Sequence, residues 1–425
     1  MPVLAFKIPD FANLARGYAL RPYQKKVWGV HVPKSRAPST TCKLGGPLCN
    51  SLATVCERRV GRVVAAEGGG VSPITGWSSF FFLFMPKLVC LGNPLLDIQA
   101  PVEDSYLEQY GLKPNDQILA DEKHMPIYGE LMAKSDVAFL AGGAAQNTAR
   151  GAQYLLPPGS VSYFGSVGRD EYSKKLLEAN EKAGVKALYQ FQDSVATGKC
   201  ACLITGHHRS LIADLAAANN FTVDHLEKPE NWKVVEEGDV YYVGGYHLTV
   251  CVPAIVKIGE HAAANNKPFA MNISAPFLPT VFKEAFDKVS PYWDHLIGNE
   301  SEALAYAEGA GLETKEILEI ATVLAKLPKK NTNLPRTVTI TQHTEPIISV
   351  THNHATGETT TVIKEVEVLD QAKIVDTNGA GDAFAGGFMA GVVEKLPLEQ
   401  CILKGQALAK ESLQLIGPAF PEKKA

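Results

Sequence analysis

Paired cysteines, long apolar runs and an excess of charge of one sign are all missing from this sequence. Its eight cysteines show neither zinc-ribbon nor redox spacing, which argues against a metal ribbon or a disulfide exchange enzyme. The nearest pair, Cys200 and Cys202, falls on one face of an apolar strand, where cysteine packs as a small hydrophobe. The apolar run 80–84 is far shorter than the about 20 residues of a membrane span.

Positive and negative charges are nearly equal in number, with 41 Lys and Arg against 45 Asp and Glu and a net charge of -4. The chain as a whole therefore has no electrostatic attraction for nucleic acid or an anionic membrane, and any phosphate binding must arise at a local site. The 46% of hydrophobic and 20% of charged residues are typical of a globular protein with a large core. We expect small-molecule partners, with no nucleic acid and no membrane.

Residues 1–84 differ from the remainder of the chain. Asp10, Glu57 and Glu67 are their only acids, and Gly68-Gly69-Gly70 interrupts any long helix. We interpret this part as a leader that is disordered, has a targeting role or precedes the true start of the protein at Met85. No secretory pattern is present, so a cytoplasmic, or cytoplasmic and nuclear, location is expected, with mitochondrial targeting by the leader as the alternative.

From Met85 onward, apolar stretches of strand length alternate with stretches of helical periodicity. This alternation is typical of an α/β protein with a mostly parallel sheet between two layers of helices. The predicted strands are 88–92, 161–165, 240–244, 269–273, 295–298 and 337–341, and the predicted helices are 172–183, 254–264, 301–308 and 316–327. Apolar runs at 95–100, 185–190 and 200–205 lack an intervening helix, which predicts a small β-rich lid made of about 95–120 and 185–214.

The most informative stretch begins at Asp376. A strand ends there, the small Gly379-Ala380-Gly381 turn lets the backbone approach a ligand, and a helix is predicted from about Asp382. Free amides and the helix dipole can hold a phosphoryl group, and Asp382 could accept a proton from an attacking hydroxyl. In the alternative interpretation Asp382 only complements the helix dipole and the glycines only form a tight turn. Neither the dinucleotide spacing nor the P-loop spacing is present, which disfavours a dehydrogenase or a P-loop enzyme.

Five segments together resemble the ribokinase-like (PfkB) family of carbohydrate and nucleoside kinases. In order along the chain they are Gly92-Asn93-Pro94-Leu95-Leu96-Asp97, Gly142-Gly143-Ala144-Ala145-Gln146-Asn147, Arg209-Ser210-Leu211, Asn299-Glu300-Ser301-Glu302 and Asp376 to Phe388. The resemblance covers 85–425 and implies a three-layer α/β/α ribokinase-like fold, ATP as phosphoryl donor and Mg²⁺ as cofactor. It implies phosphorylation of a ribonucleoside at the 5′-hydroxyl, with adenosine as the expected acceptor, AMP and ADP as products in purine salvage, and a monomeric enzyme.

The resemblance also assigns the nucleoside contacts. Asp97 would hold the ribose 2′ and 3′ oxygens, and Asn93, Gly143, Asn147 and the backbone of Ala144 would complete the sugar site. By itself, Asn147 is more typical of a helix cap. The apolar clamp for the base would be Leu95, Leu211, Ala213, Tyr246 and Phe277, each of which alone would be an ordinary core residue. A flat base needs stacking surfaces and a bare sugar mainly needs hydrogen bonds, so the clamp favours a nucleoside.

The phosphate, metal and ATP contacts follow from the same resemblance. Arg209 would reach the transferring phosphoryl group from a loop, although a solvated loop cation is the alternative. Glu302 would orient Mg²⁺ through water together with Asn299, although an Asn-x-x-Glu helix cap fits the same spacing. Other ATP contacts are expected from Asn299, Thr341, Gln342, Asn378, Gly379, Gly381 and Gln406, and His343 stands where relatives usually have glycine.

Two other functions remain open at this point. A kinase of the same fold could act on inosine, guanosine or a free sugar. A catalytically silent nucleoside-binding protein could use the same scaffold, although the presence of Asp382, Glu302 and Arg209 argues against it.

Overall fold

The computed structural model describes residues 87–206 and 208–421, which all belong to one compact unit of the chain, Pro73–Ala425. The predicted leader, 1–84, therefore lies outside the described residues, and so does His207. Within the described ranges, no helix is long and apolar enough to cross a bilayer.

The described residues form fourteen strands in two sheets. In chain order they are β1 Leu88–Leu91, β2 Leu95–Pro101, β3 Gln117–Leu119, β4 Ala138–Gly142, β5 Val161–Gly168, β6 Lys186–Gln192, β7 Lys199–Thr205, β8 His208–Asp214, β9 Val240–Gly244, β10 Phe269–Asn272, β11 His295–Asn299, β12 Arg336–Gln342, β13 Glu345–His352 and β14 Thr359–Lys364.

The described helices connect and cover these strands. They are α1 Asp104–Gln109, α2 Met125–Met132, α3 Ala144–Leu155, α4 Glu171–Ala183, α5 Val223–Glu227, α6 Pro229–Glu236, α7 Val252–Ala264, α8 Leu278–Val281, α9 Lys283–Val289, α10 Glu300–Gly309, α11 Ile317–Lys326, α12 Ala380–Val393 and α13 Leu398–Ser412.

The larger sheet has nine strands in the order β14-β13-β12-β11-β10-β9-β1-β5-β6. Neighbours from β12 across to β6 run parallel, and β13 and β14 add an antiparallel hairpin at one edge. Parallel neighbours need crossover connections, which here are helices. The six predicted strands from 88–92 to 337–341 are all present in this sheet, with ends that differ by a few residues. The strand predicted to end at Asp376 is wrong, because Gln371–Lys373 forms a 3-10 turn and the residues up to Asp376 pair with none of the described strands.

Alternate residues of each central strand face opposite sides of the larger sheet, so the sheet has two cores. In β1, Val89 and Leu91 pack with α7, α9, α10 and α11, whereas Leu88 and Cys90 pack with α3, α12 and α13. Both faces are therefore covered by helices. The three-layer α/β/α fold predicted from the sequence is confirmed.

Helix α12 lies unusually close to its neighbours. A Cβ placed on Gly387 would lie 2.4 Å from the carbonyl oxygen of Lys404 on α13, and one on Gly386 would lie 2.9 Å from the carbonyl oxygen of Thr148 on α3. Glycine is the residue that permits such backbone approach, at a cost in helix propensity of about 1 kcal/mol. This packing fixes the start of α12 relative to the start of α3.

The smaller sheet has the order β3-β8-β7-β2-β4. One face packs on α1 and α2 through residues such as Ile98 and Leu203, and the other carries Leu95, Cys200 and Cys202. Both cysteines are buried, as expected of small hydrophobes. The runs at 95–100 and 200–205 lie in this sheet.

Two parts of the predicted lid need correction. The run at 185–190 falls in β6, which pairs in parallel with β5 as the edge of the larger sheet. Residues 138–142 instead form β4, which pairs with β2 in the smaller sheet. The error has a physical cause: β6 is joined to β5 by α4, so it continues the βα pattern, whereas β4 precedes α3 and its strand is short and half-exposed.

Candidate active site

The predicted site residues converge at the carboxyl ends of the parallel strands. Asn93 follows β1, Tyr246 follows β9 and Asn299 ends β11. In open α/β sheets this edge is where ligands bind, because loops and helix starts meet there. The smaller sheet contributes Asp97 and Arg209, and α12 contributes Asp382.

The Gly379-Ala380-Gly381 turn has the conformation expected of an anion-binding helix start. Gly379 is the N-cap of α12 with φ +79°, and a Cβ there would lie 2.6 Å from the Cβ of Pro418. Gly381 is exposed and has open space where a Cβ would be. The N–H of Ala380 donates to the carbonyl oxygen of Thr377 at 3.4 Å. The amides of Gly381 and Asp382 have no acceptor within the helix, so they are free to bind an anion.

Asp382 lies in the first turn of α12 and is partly exposed. Its Oδ2 accepts a hydrogen bond from Nδ2 of Asn147 on α3, at 2.8 Å. Burial raises the pKa of Asp382 to about 7, while the Asn147 hydrogen bond and the charge of Arg150 act in the opposite direction. A carboxyl group that changes charge near neutrality suits a general base.

Asp97 lies within β2, with 6% of its surface exposed. Its carboxylate lies against the backbone of Gly142, where a Cβ would come within 2.1 Å of Oδ1. Burial raises the pKa of Asp97 to about 7, Arg150 lowers it, and Asp382 raises it further. The two carboxylates are therefore close enough to affect each other's ionisation.

The backbone of Gly143 comes as close to Asn93 as the sequence pattern suggested. Gly143 has φ +88°, and a Cβ there would lie 2.4 Å from the carbonyl oxygen of Asn93. The side chain of Asn93 is itself fixed, since its Oδ1 lies 2.8 Å from Nδ1 of His247 and its Nδ2 donates to the carbonyl oxygen of Tyr246. His247 is fully buried, and burial lowers its pKa to about 3, so the ring is neutral and Nδ1–H is the donor.

Arg209 differs from the predicted loop position. It lies in β8, because the chain resumes strand pairing with β7 directly after the turn at Gly206. Its Nε donates to Oδ1 of Asp376 at 3.0 Å, and the two side chains are 12% and 1% exposed. Asp376 also accepts from the backbone N–H of Asn378 and of Gly417, at 2.9 Å each. Arg209 therefore ties the smaller sheet to the start of the phosphate turn.

The residues of the predicted base clamp form two groups, one at each sheet. Leu95, Leu211 and Ala213 pack together in the smaller sheet. The rings of Tyr246 and Phe277 lie 6.2 Å apart at 49° at the edge of the larger sheet. The first group is aliphatic and the second is aromatic. Both kinds of side chain can pack against the faces of a flat ring.

The Asn299 and Glu302 pair forms a capping box at the start of α10. Oδ1 of Asn299 accepts from the Glu302 N–H, and the Glu302 carboxylate accepts from the backbone N–H and Nδ2 of Asn299. The helix-cap interpretation is thus confirmed as geometry. Burial raises the pKa of Glu302 to about 8, and no lysine, arginine or histidine within 87–206 and 208–421 forms an ion pair with it. A buried acid without a cationic partner fits a site for a hydrated metal ion.

The residues predicted to contact the ATP base are hydrogen-bonded to backbone carbonyl groups of the protein. Oγ1 of Thr341 donates to the carbonyl oxygen of Gly298 at 3.3 Å, and Nε2 of Gln342 donates to that of Pro346 at 2.6 Å. Nε2 of Gln406 donates to the carbonyl oxygen of Glu365. His343 has φ +50°, a backbone region that favours glycine. Their contacts with ATP stay a prediction.

Three functional neighbours were missed by sequence reasoning. Asp376 was noted only as part of a motif, His247 was not noted, and Arg150 was not noted although it stands three residues after Asn147. The i, i+3 spacing on a helix that starts after a double glycine is a signal that could have identified Arg150. Nothing in the sequence pattern distinguishes His247 from a core histidine.

Comparison with known proteins agrees with this geometry. Residues 104–425 match the family described as pfkB family carbohydrate kinase. The adenosine kinase of Saccharomyces cerevisiae is 52% identical over 342 residues, which cover 79% of this chain and 97% of that protein.

Two solved structures share the fold. Anopheles gambiae adenosine kinase in complex with P1,P4-di(adenosine-5) tetraphosphate has a TM-score of 0.76 and 41% identity, covering 80% of this chain and 100% of that one. Schistosoma mansoni adenosine kinase in complex with 2-fluoroadenosine has a TM-score of 0.75 and 33% identity, covering 80% and 98%.

Proposed function

The chain belongs to the pfkB family of carbohydrate kinases, and from this premise we infer that it catalyses the adenosine kinase reaction. The γ-phosphoryl group of ATP is transferred to the 5′-hydroxyl of adenosine, which gives ADP and AMP. The family resemblance drawn from the five sequence segments is thereby confirmed. The observation that carries the mechanism is the position of Asp382, in the first turn of α12 beside an open glycine turn.

Asp382 acts as the general base. The oxygen Oδ2 accepts from Asn147, so Oδ1 is the atom available to the 5′-hydroxyl. As the 5′ oxygen attacks phosphorus, its proton passes to Asp382 and the bond from the γ-phosphorus to the bridging oxygen of ADP breaks. A pKa of about 7 lets the carboxylate be ionised in the resting enzyme and still hold the proton afterwards.

The amides of Gly381 and Asp382, at the end of the Gly379-Ala380-Gly381 turn, stabilise the transferring group. Charge spreads over the equatorial oxygens in phosphoryl transfer, and unpaired amides at a helix start are aimed at such charge without reorganisation. Arg209 would add a cation on the opposite side. Its Nε is held by Asp376, and its Nη1 donates to the carbonyl oxygens of Gly206 and His208. Nη2 is therefore the nitrogen that would reach the phosphoryl oxygens.

The nucleoside site follows from the same geometry. Asp97 offers two carboxylate oxygens to the vicinal 2′ and 3′ hydroxyls, and Asn93 is fixed beside it by His247. The adenine ring would lie between the Tyr246 and Phe277 rings and the apolar face of Leu211. Such a clamp gains free energy from stacking that a free sugar cannot supply.

Mg²⁺ fits at Glu302, whose buried carboxylate lacks a cationic partner among the described residues. When bound with ATP, the ion would offset phosphate charge. Oδ1 of Asn299 accepts from both the Ser301 hydroxyl and the Glu302 N–H, whereas each carboxylate oxygen of Glu302 accepts one hydrogen bond from Asn299. Glu302 is therefore the residue we propose to hold the hydrated ion.

The direct test of the base is Asp382→Asn. A general base contributes about 10²- to 10⁴-fold, so kcat should fall by about that factor while the dissociation constant for adenosine changes little. Glu171→Gln is a matched control, because Glu171 also lies in the first turn of a helix, α4, and is exposed. Full turnover by Asp382→Asn would remove Asp382 from the chemistry.

The substrate is tested by ATP consumption with adenosine, inosine, guanosine and ribose in parallel. We expect the highest kcat/KM for adenosine. Faster turnover of a free sugar would favour another kinase of this fold. Tight adenosine binding without ADP formation would favour a silent binding protein.

Closure of the smaller sheet over the nucleoside is a further part of the proposal. Oη of Tyr246 donates to Oε1 of Gln117 on β3 at 3.2 Å, so one residue of the base clamp already contacts that sheet. Adenosine should slow hydrogen exchange in β3 and β8. Unchanged exchange there would contradict closure.

We also propose a monomer in the cytosol. The five cysteines that the structure describes are all buried and free, as suits a reducing compartment. Light scattering of the purified enzyme and fractionation of cells test the two statements separately.

A further inference from the structure

Arg150 has three oxygen acceptors around one nitrogen. Its Nη2 lies 2.7 Å from Oδ1 of Asn147, 2.6 Å from the carbonyl oxygen of Ala141 in β4, and 3.3 Å from that of Pro418. The guanidinium is thus placed where β4, α3 and the segment after α13 meet. A cation with this many contacts holds a defined position.

The contact with Asn147 decides which way its amide points. An arginine side chain only donates hydrogen bonds, so the amide oxygen of Asn147 must face Arg150 and its NH₂ group must face away. The NH₂ group then donates to Oδ2 of Asp382 at 2.8 Å. A carboxyl oxygen that receives this bond acts as an acceptor and not as the protonated O–H.

Arg150 also acts electrostatically on both acids of the site. Its positive charge lowers the pKa of Asp97 and of Asp382 against the opposite effect of burial. The other ionisable groups that affect Arg150 are Tyr163 on β5 and Tyr189 on β6, which remain neutral because burial raises the pKa of each phenol. Asp97 and Asp382 are therefore the groups that titrate near it in the neutral range.

We propose that Arg150 is a positioning residue for phosphoryl transfer: it fixes the amide of Asn147 so that this amide holds Oδ2 of Asp382 and leaves Oδ1 for the 5′-hydroxyl. Arg150 acts on Asp382 through the amide of Asn147 and through its positive charge, and it touches no reacting atom. The inference rests on the proposed function, since it assigns Arg150 to the same base.

The test compares Arg150→Gln with Arg150→Lys. Glutamine can accept as well as donate, so the amide of Asn147 is free to turn, and the positive charge is lost. Lysine keeps both the donor-only character and the charge. Arg169→Gln is the matched control, because Arg169 is an exposed arginine paired with Asp193.

When kcat is plotted against pH, the rise on the acid side, the acid limb, reports the ionisation of Asp382. We expect this limb to shift to higher pH by about one unit in Arg150→Gln, which corresponds to about tenfold lower kcat at pH 6. Arg150→Lys should keep the limb close to that of the parent enzyme, and Arg169→Gln should match the parent throughout. The readout is kcat, because loss of ionisation at Asp97 would act on KM for adenosine instead.

A uniform loss of kcat at every pH, with the limb unmoved, would overturn the proposal and leave Arg150 as a structural residue. Equal behaviour of the Gln and Lys variants would do the same. If Arg150→Gln gives no cooperative melt, Asn147→Asp answers the question with Arg150 in place. That variant keeps an acceptor towards Arg150 and removes the donor towards Asp382, so an unmoved limb would again refute the inference.

The proposed function and the positioning role fail in different ways. If the parent enzyme does not phosphorylate adenosine, the proposed function is wrong. If it does, but the limb is insensitive to Arg150 and Asn147, only the positioning role is wrong.

Discussion

The two glycines of the phosphate turn should respond to alanine in opposite ways. Gly379 has φ +79° and a Cβ there would lie 2.6 Å from the Cβ of Pro418. Gly381 lies in helical backbone, is exposed, and would have no heavy atom within 4 Å of an added Cβ. Gly379→Ala therefore tests the fold of the turn, and Gly381→Ala tests the space in front of it.

The cost of Gly379→Ala can be worked out from three contributions. A left-handed backbone costs an L-residue about 1–2 kcal/mol. The smaller entropy of the unfolded chain returns about 0.4–1 kcal/mol. Forcing Pro418 aside adds an overpacking cost of about 1–3 kcal/mol. The net loss of unfolding free energy is about 1–5 kcal/mol, which urea denaturation would resolve.

Gly381→Ala should leave stability unchanged or raise it by up to about 1 kcal/mol, since alanine is the better helix former. Its methyl group would occupy the space that the proposal gives to the transferring phosphoryl group. Loss of one anion-stabilising contact typically costs about 10²- to 10³-fold in kcat. For Gly381→Ala we expect a loss of kcat of that size, with cooperative unfolding like that of the parent protein.

Both variants are measured by urea denaturation and by steady-state turnover of adenosine. A Gly381→Ala enzyme with parental kcat would refute the assignment of the turn to phosphate. A Gly379→Ala protein as stable as the parent would refute the steric argument, because neither the left-handed φ nor the contact with Pro418 would then matter.

Three further predictions concern other parts of the site. Asp376→Asn should lower the unfolding free energy by about 3–5 kcal/mol, because it leaves the largely buried guanidinium of Arg209 without its anionic partner. An unchanged urea midpoint would contradict this. Phe277→Ala should raise KM for adenosine about tenfold with kcat nearly constant, because it removes about 1.4 kcal/mol of base stacking; equal losses with adenosine and ribose in a competition assay would count against it. The contribution of Asp97 and Glu302 to the unfolding free energy should fall as pH rises from about 4, the ordinary pKa of a carboxyl group, through their folded-state pKa values of about 7 and about 8. Burial raises both values, and the stability that such groups contribute is present below their unfolded pKa and lost above the folded one. The contribution is measured as the difference in urea midpoint between the parent and the double variant Asp97→Asn, Glu302→Gln, because His247, whose pKa burial lowers to about 3, acts in the opposite sense in both proteins; a difference that grows with pH would refute the sign.

Much of the larger sheet could be predicted because its strands are buried on both faces. Val240–Gly244, for example, is buried throughout, and such a continuous apolar run between helical stretches has few alternatives. The hairpin of β13 and β14 was not predicted. Its outer strand, Thr359–Lys364, is largely exposed and polar, so it carries no hydrophobic period.

The site was predictable where a residue type was demanded by backbone geometry. Gly143 and Gly379 both have positive φ and a close neighbour, which is the reason that glycine stands in those motifs. The pairing of Arg209 with Asp376 could not be predicted, since the two lie 167 positions apart and each has other plausible partners. Long-range partners of charged side chains depend on packing that no local pattern contains.

The connection between the two sheets has a consequence for the order of folding. Strand β2 pairs in parallel with β7, and the chain between them builds β5, β6, α3 and α4. The smaller sheet can therefore close only after that part of the larger sheet has been synthesised. Asn147 and Asp382 are hydrogen-bonded across 235 positions. A nascent chain on the ribosome therefore lacks a complete catalytic centre until synthesis has passed Asp382, and contacts between such distant residues make folding slow.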